Sequence, residues 1–125
     1  MEKDIKFAFE DLEVWRKAVE FANVVIDALE SLDTHRRHFR LMEQVEAAVT
    51  SIAMNIAEGK GRYSKKEFIQ YLFIARGSLF ETITLLIIFN KRGWLPPRLL
   101  LEIKETGSEI GKMLTSLANS VKRSL

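Results

Sequence analysis

SIAMNIAEGKGRYSKKEFIQYLFIARGSLFET, residues 51–82, carries an apolar helical run into a glycine- and lysine-bearing turn and then into a second, longer helical run. Ile52 and Ile56 continue a core line that begins at Leu41, Val45 and Ala48, the spacing of an amphipathic helix. Gly59 and Gly61 suit the left-handed positions that end helices. Ser64 and Glu67 have the spacing of a capping box, with Ser64 as cap and Glu67 reaching back. The stretch therefore predicts a helical hairpin, with helix two over about 40–58 and helix three over about 65–91. At ~1.5 Å per residue the second of these is roughly 40 Å long.

Working outward, Leu12, Trp15, Val19, Ala22, Ile26 and Leu29 predict a first helix over about 11–32, with Asp11 as N-cap. A second apolar line, Val14, Phe21, Val24 and Ala28, runs along another face of it. Residues 1–10 read as an extended lead-in, and 31–39 as a connection. Helix three also has two lines: Phe68, Leu72, Leu79 and Leu86, then Ile69, Phe73, Phe80, Ile83 and Ile87. Gly93 ends it, and Pro97 suits the first turn of helix four, over about 97–123. Gly107 and Gly111, four apart, would let a neighbouring backbone approach closely, at some cost in helix propensity. The expectation is one all-α domain over residues 1–125, an up-down antiparallel four-helix bundle. One apolar stripe suffices for a monomeric surface helix, so the doubled lines on helices one and three favour a homo-oligomer.

Composition narrows the function. The chain has 125 residues, 47% hydrophobic and 29% charged, and no cysteine. Disulfides, thiolate metal sites and cysteine nucleophiles are excluded, and a cytoplasmic location fits. The first 13 residues mix charges and predict no signal peptide. No continuous apolar run nears the ~18–20 residues of a membrane span, and LLIIF at 85–89 is only five residues long. Net charge is +2, but residues 1–34 carry nine acids and four bases. Residues 35–125 carry fifteen bases and eight acids, with acid-free tracts at 35–40 and 59–66.

Polar residues also stand where a core is expected. Gln44, Ser51, Asn55 and Glu58 form one stripe of helix two, and Ser78, Glu81 and Thr82 are neighbours on helix three. Facing each other or a second subunit, they would form a hydrogen-bonded seam that fixes register. Glu58 and Glu81 are the one imaginable carboxylate pair, with no sign of a substrate pocket. The Glu-x-x-His pairs of di-iron bundles are absent. His35 and His38 flank two arginines and predict no metal site. Lys60-Gly61-Arg62 does not complete a phosphate-cradling loop. The expectation is no enzyme, no cofactor and no metal.

Nucleic-acid binding is the chemistry these residues suit better. Lys60, Arg62, Lys65 and Lys66 cluster at one helix end, with Tyr63 as a stacking surface. Arg36, Arg37 and Arg40 form a second tract on the preceding connection, at the opposite end of an up-down bundle. A single subunit offers two separate patches, and a ring of subunits would repeat each and gain avidity. The competing reading is a protein-interaction scaffold whose basic turns are merely solvated.

DLEVW at 11–15, Gln44, SIAMNIAEGKGR at 51–62 and EFIQYLFIARGSLFET at 67–82 resemble the 23S rRNA-intervening-sequence proteins. The resemblance covers roughly residues 8–120. Ala53-Met54 departs from the proline that many members place before the asparagine, and Ile83 replaces a commonly polar residue. The resemblance implies a bacterial, cytoplasmic, ring-forming homopentamer of four-helix bundles, with no catalytic role at Asn55, Glu58, Gly59, Arg62, Arg76, Ser78 or Glu81. A related branch, the accessory proteins of diversity-generating retroelements, implies RNA or DNA and a reverse transcriptase as further partners.

Overall fold

The computed structural model describes residues 4–32, 34 and 38–125. A short 3-10 turn, Ala8–Asp11, leads into helices α1 (Glu13–Glu30), α2 (Phe39–Lys60), α3 (Lys65–Lys91) and α4 (Pro97–Arg123). No described residue is in a strand. Along α3 the partners run backwards on both sides. Tyr71 meets Gly59 and Ser78 meets Ser51 on α2, whereas Arg76 meets Thr115 and Ile83 meets Gly107 on α4. Helix α1 packs on α2 and α4, and α3 packs on the same two, so α1 and α3 occupy opposite corners. This is an all-α, up-down antiparallel four-helix bundle, as the periodicity predicts.

The predicted stripes fill the middle. Phe21, Ile52, Ile56, Leu72, Leu79, Leu86, Ile110 and Leu114 are all fully buried, and Phe89, on neither predicted line of α3, joins them. Burying a side chain of this kind stabilises by about 1.5–3 kcal/mol before the entropy of ordering it. The turn after α3 uses the one glycine with positive φ, Gly93 at 81°. Its N–H donates to the Asn90 carbonyl and the Trp94 N–H to that of Phe89, both at 3.0 Å, satisfying carbonyls the helix leaves open.

Several local expectations change. Asp11 is not the N-cap of α1. The Phe9 ring lies 5.1 Å from that of Trp15, and Arg16 donates to the Glu10 carbonyl at 2.8 Å. Those contacts wind residues 8–11 into a 3-10 turn and move the cap to Leu12. Gly59 and Gly61 are not left-handed, because α2 continues to Lys60. Gly59 serves close approach instead: a Cβ there would stand 2.5 Å from the Tyr71 Cβ. Ser64 does cap α3, accepting from the Glu67 N–H at 3.1 Å, but its hydroxyl donates to the Glu67 carboxylate, in place of the backbone half of the box. The doubled line on α1 is largely absorbed by its own bundle, since Val14, Phe21 and Ala28 are buried and only Val24 is exposed.

Helix α3 behaves otherwise. Phe73, Ile74, Phe80 and Ile88 stay exposed, with Phe80 at 55%. The helix is long and apolar enough to cross a membrane by length and composition, a property that counting unbroken apolar runs overlooks. Arg76 and Glu81, the only ionised side chains in residues 68–90, lie near its middle. Each would cost about 2.5–3.5 kcal/mol at a bilayer centre on insertion scales.

Candidate nucleic-acid interface

The α2–α3 turn meets the end of α4. Lys65 reaches across to donate to the Ser124 carbonyl at 2.9 Å, which brings Lys122 and Arg123 to the end that already carries Lys60, Arg62, Tyr63 and Lys66. Sequence reading did not place those two α4 residues here, because they lie about 60 positions away along the chain. Lys60, Lys122 and Arg123 occupy the last turns of α2 and α4, where cations also complement the helix dipoles.

The carboxylates nearest the turn are engaged. Glu58 accepts from Arg62 at 2.7 Å, and Glu67 belongs to the Ser64 cap. Arg62 also donates to the Tyr71 hydroxyl and stacks 4.9 Å from its ring. The Arg62 pKa is raised, chiefly by charge interaction with Tyr71, with burial opposing and Glu58 adding to the rise. Arg62 thus braces the turn, whereas Lys60, Lys65, Lys66, Lys122 and Arg123 are exposed and form no ion pair with a described residue. Tyr63 is fully exposed, its ring available on both faces.

Arg40 lies at the far end of α2, ~30 Å away at 1.5 Å per residue. His38, which stacks 4.5 Å from Trp94, ties that end to the α3–α4 turn, with its Lys91, Arg92 and Arg98. Arg36 and Arg37 lie outside the described residues.

The polar seam contracts to a smaller network. Ser51 and Ser78 share a 2.9 Å hydrogen bond across the α2–α3 contact, and Asn55 donates to the Ser51 hydroxyl at 2.8 Å. Thr82 is fully buried and donates to its own helix, at the Ser78 carbonyl. Gln44, Glu58 and Glu81 are exposed and outside this network. Glu58 and Glu81 do not converge either. Ser51 faces Ser78, so the level of Glu81 on α2 is near Ala48, ten residues or ~15 Å from Glu58. No group of His, Asp or Glu among the described residues could hold a metal ion.

A second feature was not anticipated. Between α3 and α4 runs an open groove of about 850 Å³, floored by Leu79, Ile83, Gly107 and Gly111. Arg76, Lys104, Lys112 and Arg123 line it, and no carboxylate does. The glycine pair was its one sequence signal: a Cβ on Gly107 would stand 3.1 Å from Ile83.

The profile of the 23S rRNA-intervening sequence proteins matches residues 10–116. This chain belongs to that family. A crystal structure from Bacteroides thetaiotaomicron, described as a protein of unknown function from the S23 ribosomal protein family, is similar over 85% of this chain and 95% of its own. The identity is 27% and the TM-score 0.78. No curated protein matches the sequence. Both descriptions leave function open, and neither names a catalytic activity.

Proposed function

We propose that this chain is a non-catalytic, self-associating bundle that holds RNA or DNA by its phosphates, on the end formed by the α2–α3 turn and the tail of α4. One observation carries the reading: five exposed cations gather at that end while the nearest acids are engaged elsewhere. Tyr63 adds a base-stacking surface. Self-association has its own support in the exposed apolar face of α3, and copies side by side would multiply a weak phosphate site.

The test is anisotropy of a labelled single-stranded RNA. With four to five phosphates neutralised, affinity falls ~10²-fold between 50 and 200 mM salt. Lys60→Glu with Lys66→Glu abolishes most of the binding and flattens the salt slope. Binding that ignores both salt and this double variant overturns the reading. The exposed α3 face also favours a scaffold for a protein partner, such as a reverse transcriptase. That reading predicts no RNA binding at any salt.

A further inference from the structure

We infer that the α3–α4 groove receives the lead-in segment, residues 4–11, of a second copy of this chain. The proposal rests on the self-association stated above and names the two surfaces that meet. The first is the groove, apolar at its floor and lined by four cations without an acid. The second is the lead-in, whose Ile5 and Phe7 stand 77% and 64% exposed. Both precede the 3-10 turn, and Phe7 itself has extended backbone, at φ −87° and ψ 152°. Asp4, Glu10 and Asp11 accompany them against one base, Lys6, which sits 3.6 Å from Asp11.

The segment is held in shape before it meets anything. Phe7 stacks on Phe9 at 5.6 Å, the Phe7 N–H donates to the Glu10 carboxylate at 2.8 Å, and Arg16 ties the turn to α1. A preformed segment loses less entropy on docking than a disordered one. Its length also suits: four residues ahead of the turn and four 3-10 residues reach at most ~22 Å. The α4 side of the groove, from Lys104 to Arg123, spans ~28 Å.

The lead-in turn packs on α1 and α2, away from the groove between α3 and α4, so as folded it does not fill its own groove. Two different surfaces on different flanks make a head-to-tail contact, which closes into a ring or extends as a filament, unlike a two-fold dimer. An acidic apolar segment meeting a basic apolar groove also disfavours the like-with-like alternative, since two grooves facing each other would juxtapose eight cations.

The chain has no cysteine, so single introduced thiols report unambiguously. Ile5→Cys chains mixed with Ser108→Cys chains and oxidised give a crosslinked pair at twice the chain mass. Ile5→Cys mixed with Ser31→Cys, at the other end of α1, gives none. In the full chain, Ile5→Asp with Phe7→Asp keeps the helical circular-dichroism spectrum while light scattering falls from an oligomer to a single chain. A wild-type chain that is monomeric at tens of micromolar overturns self-association and this docking together. A wild-type oligomer that survives the double variant and gives no Ile5–Ser108 crosslink overturns the docking alone. Shielding of Ser108→Cys from alkylation by single-stranded RNA, with the oligomer intact in the double variant, assigns the groove to nucleic acid and overturns it equally.

Discussion

Helices α1 and α3 stand at opposite corners of the bundle, each packed on α2 and α4, yet their outer faces have little in common. The outward side of α1 carries Glu13, Glu20, Asp27 and Glu30, and its apolar side chains are nearly all consumed by its own core. The outward side of α3 carries Phe73, Ile74, Gly77, Phe80 and Ile88. Water is an adequate neighbour for the first surface. Burying the second would gain roughly 25 cal/mol for each Å² of apolar area covered. A helix that is apolar all round belongs in an interior, and one chain supplies an interior for only half of α3. The difference teaches that one bundle satisfies α1 and leaves α3 with apolar surface to spare, the surface on which the proposed self-association rests.

The sharpest way to break that comparison exchanges one aromatic in each helix. Phe21→Ala removes a fully buried ring from α1 and lowers unfolding free energy by about 3–5 kcal/mol in urea titration. Phe80→Ala on α3 changes the stability of the isolated bundle by less than about 0.5 kcal/mol and instead lowers the assembled mass in light scattering. Equal stability losses from both would mean that α3 is as much a core helix as α1.

Glycines sharpen it next. Gly59→Ala drives a Cβ to 2.5 Å from Tyr71, against backbone-anchored atoms, and costs about 1–3 kcal/mol in thermal unfolding. Gly77→Ala meets nothing within 4 Å and stabilises the single bundle by up to ~1 kcal/mol through helix propensity. A loss of oligomer accompanying that gain would place Gly77 inside the assembled contact.

Smaller effects test the polar features. Ser78→Ala removes the hydroxyl bridging to Ser51 and costs about 1 kcal/mol. Ser64→Ala removes the α3 cap and costs a similar ~1 kcal/mol. The smallest concerns Lys17, whose pKa is raised chiefly by its hydrogen bond to Glu109. Because the folded value lies above the unfolded one, the contribution is complete below the ordinary lysine range and disappears as pH rises through the folded value. Melting temperature should therefore fall slightly more in strong alkali for wild type than for Lys17→Met.

Much of the fold was legible because helical periodicity is local. The lines through Ile52 and Ile56, Leu72 and Leu79, and Ile110 and Leu114 became the core as their spacing demands. Punctuation was less reliable. Gly59 reads as a helix end, but only the approach of Tyr71 from α3 explains a glycine inside a continuing helix. Asp11 reads as a cap, yet the Phe9–Trp15 contact winds the chain one turn earlier.

The candidate sites divide along the same line. Lys60, Arg62, Lys65 and Lys66 are neighbours in sequence, so their clustering was determined by the chain itself. That Arg62 is committed to Glu58 and Tyr71, that Lys122 and Arg123 join the turn, and that Glu58 and Glu81 sit at levels ~15 Å apart along the bundle were decided by tertiary structure. Apart from its Gly107 and Gly111 pair, the groove belongs to the second class. Its floor and rim draw on residues 76 to 123 across two helices, and no local pattern encodes which flank of α3 its partners leave uncovered. Sequence determines what each helix has to bury; packing decides which part of it is still unburied when four helices have closed.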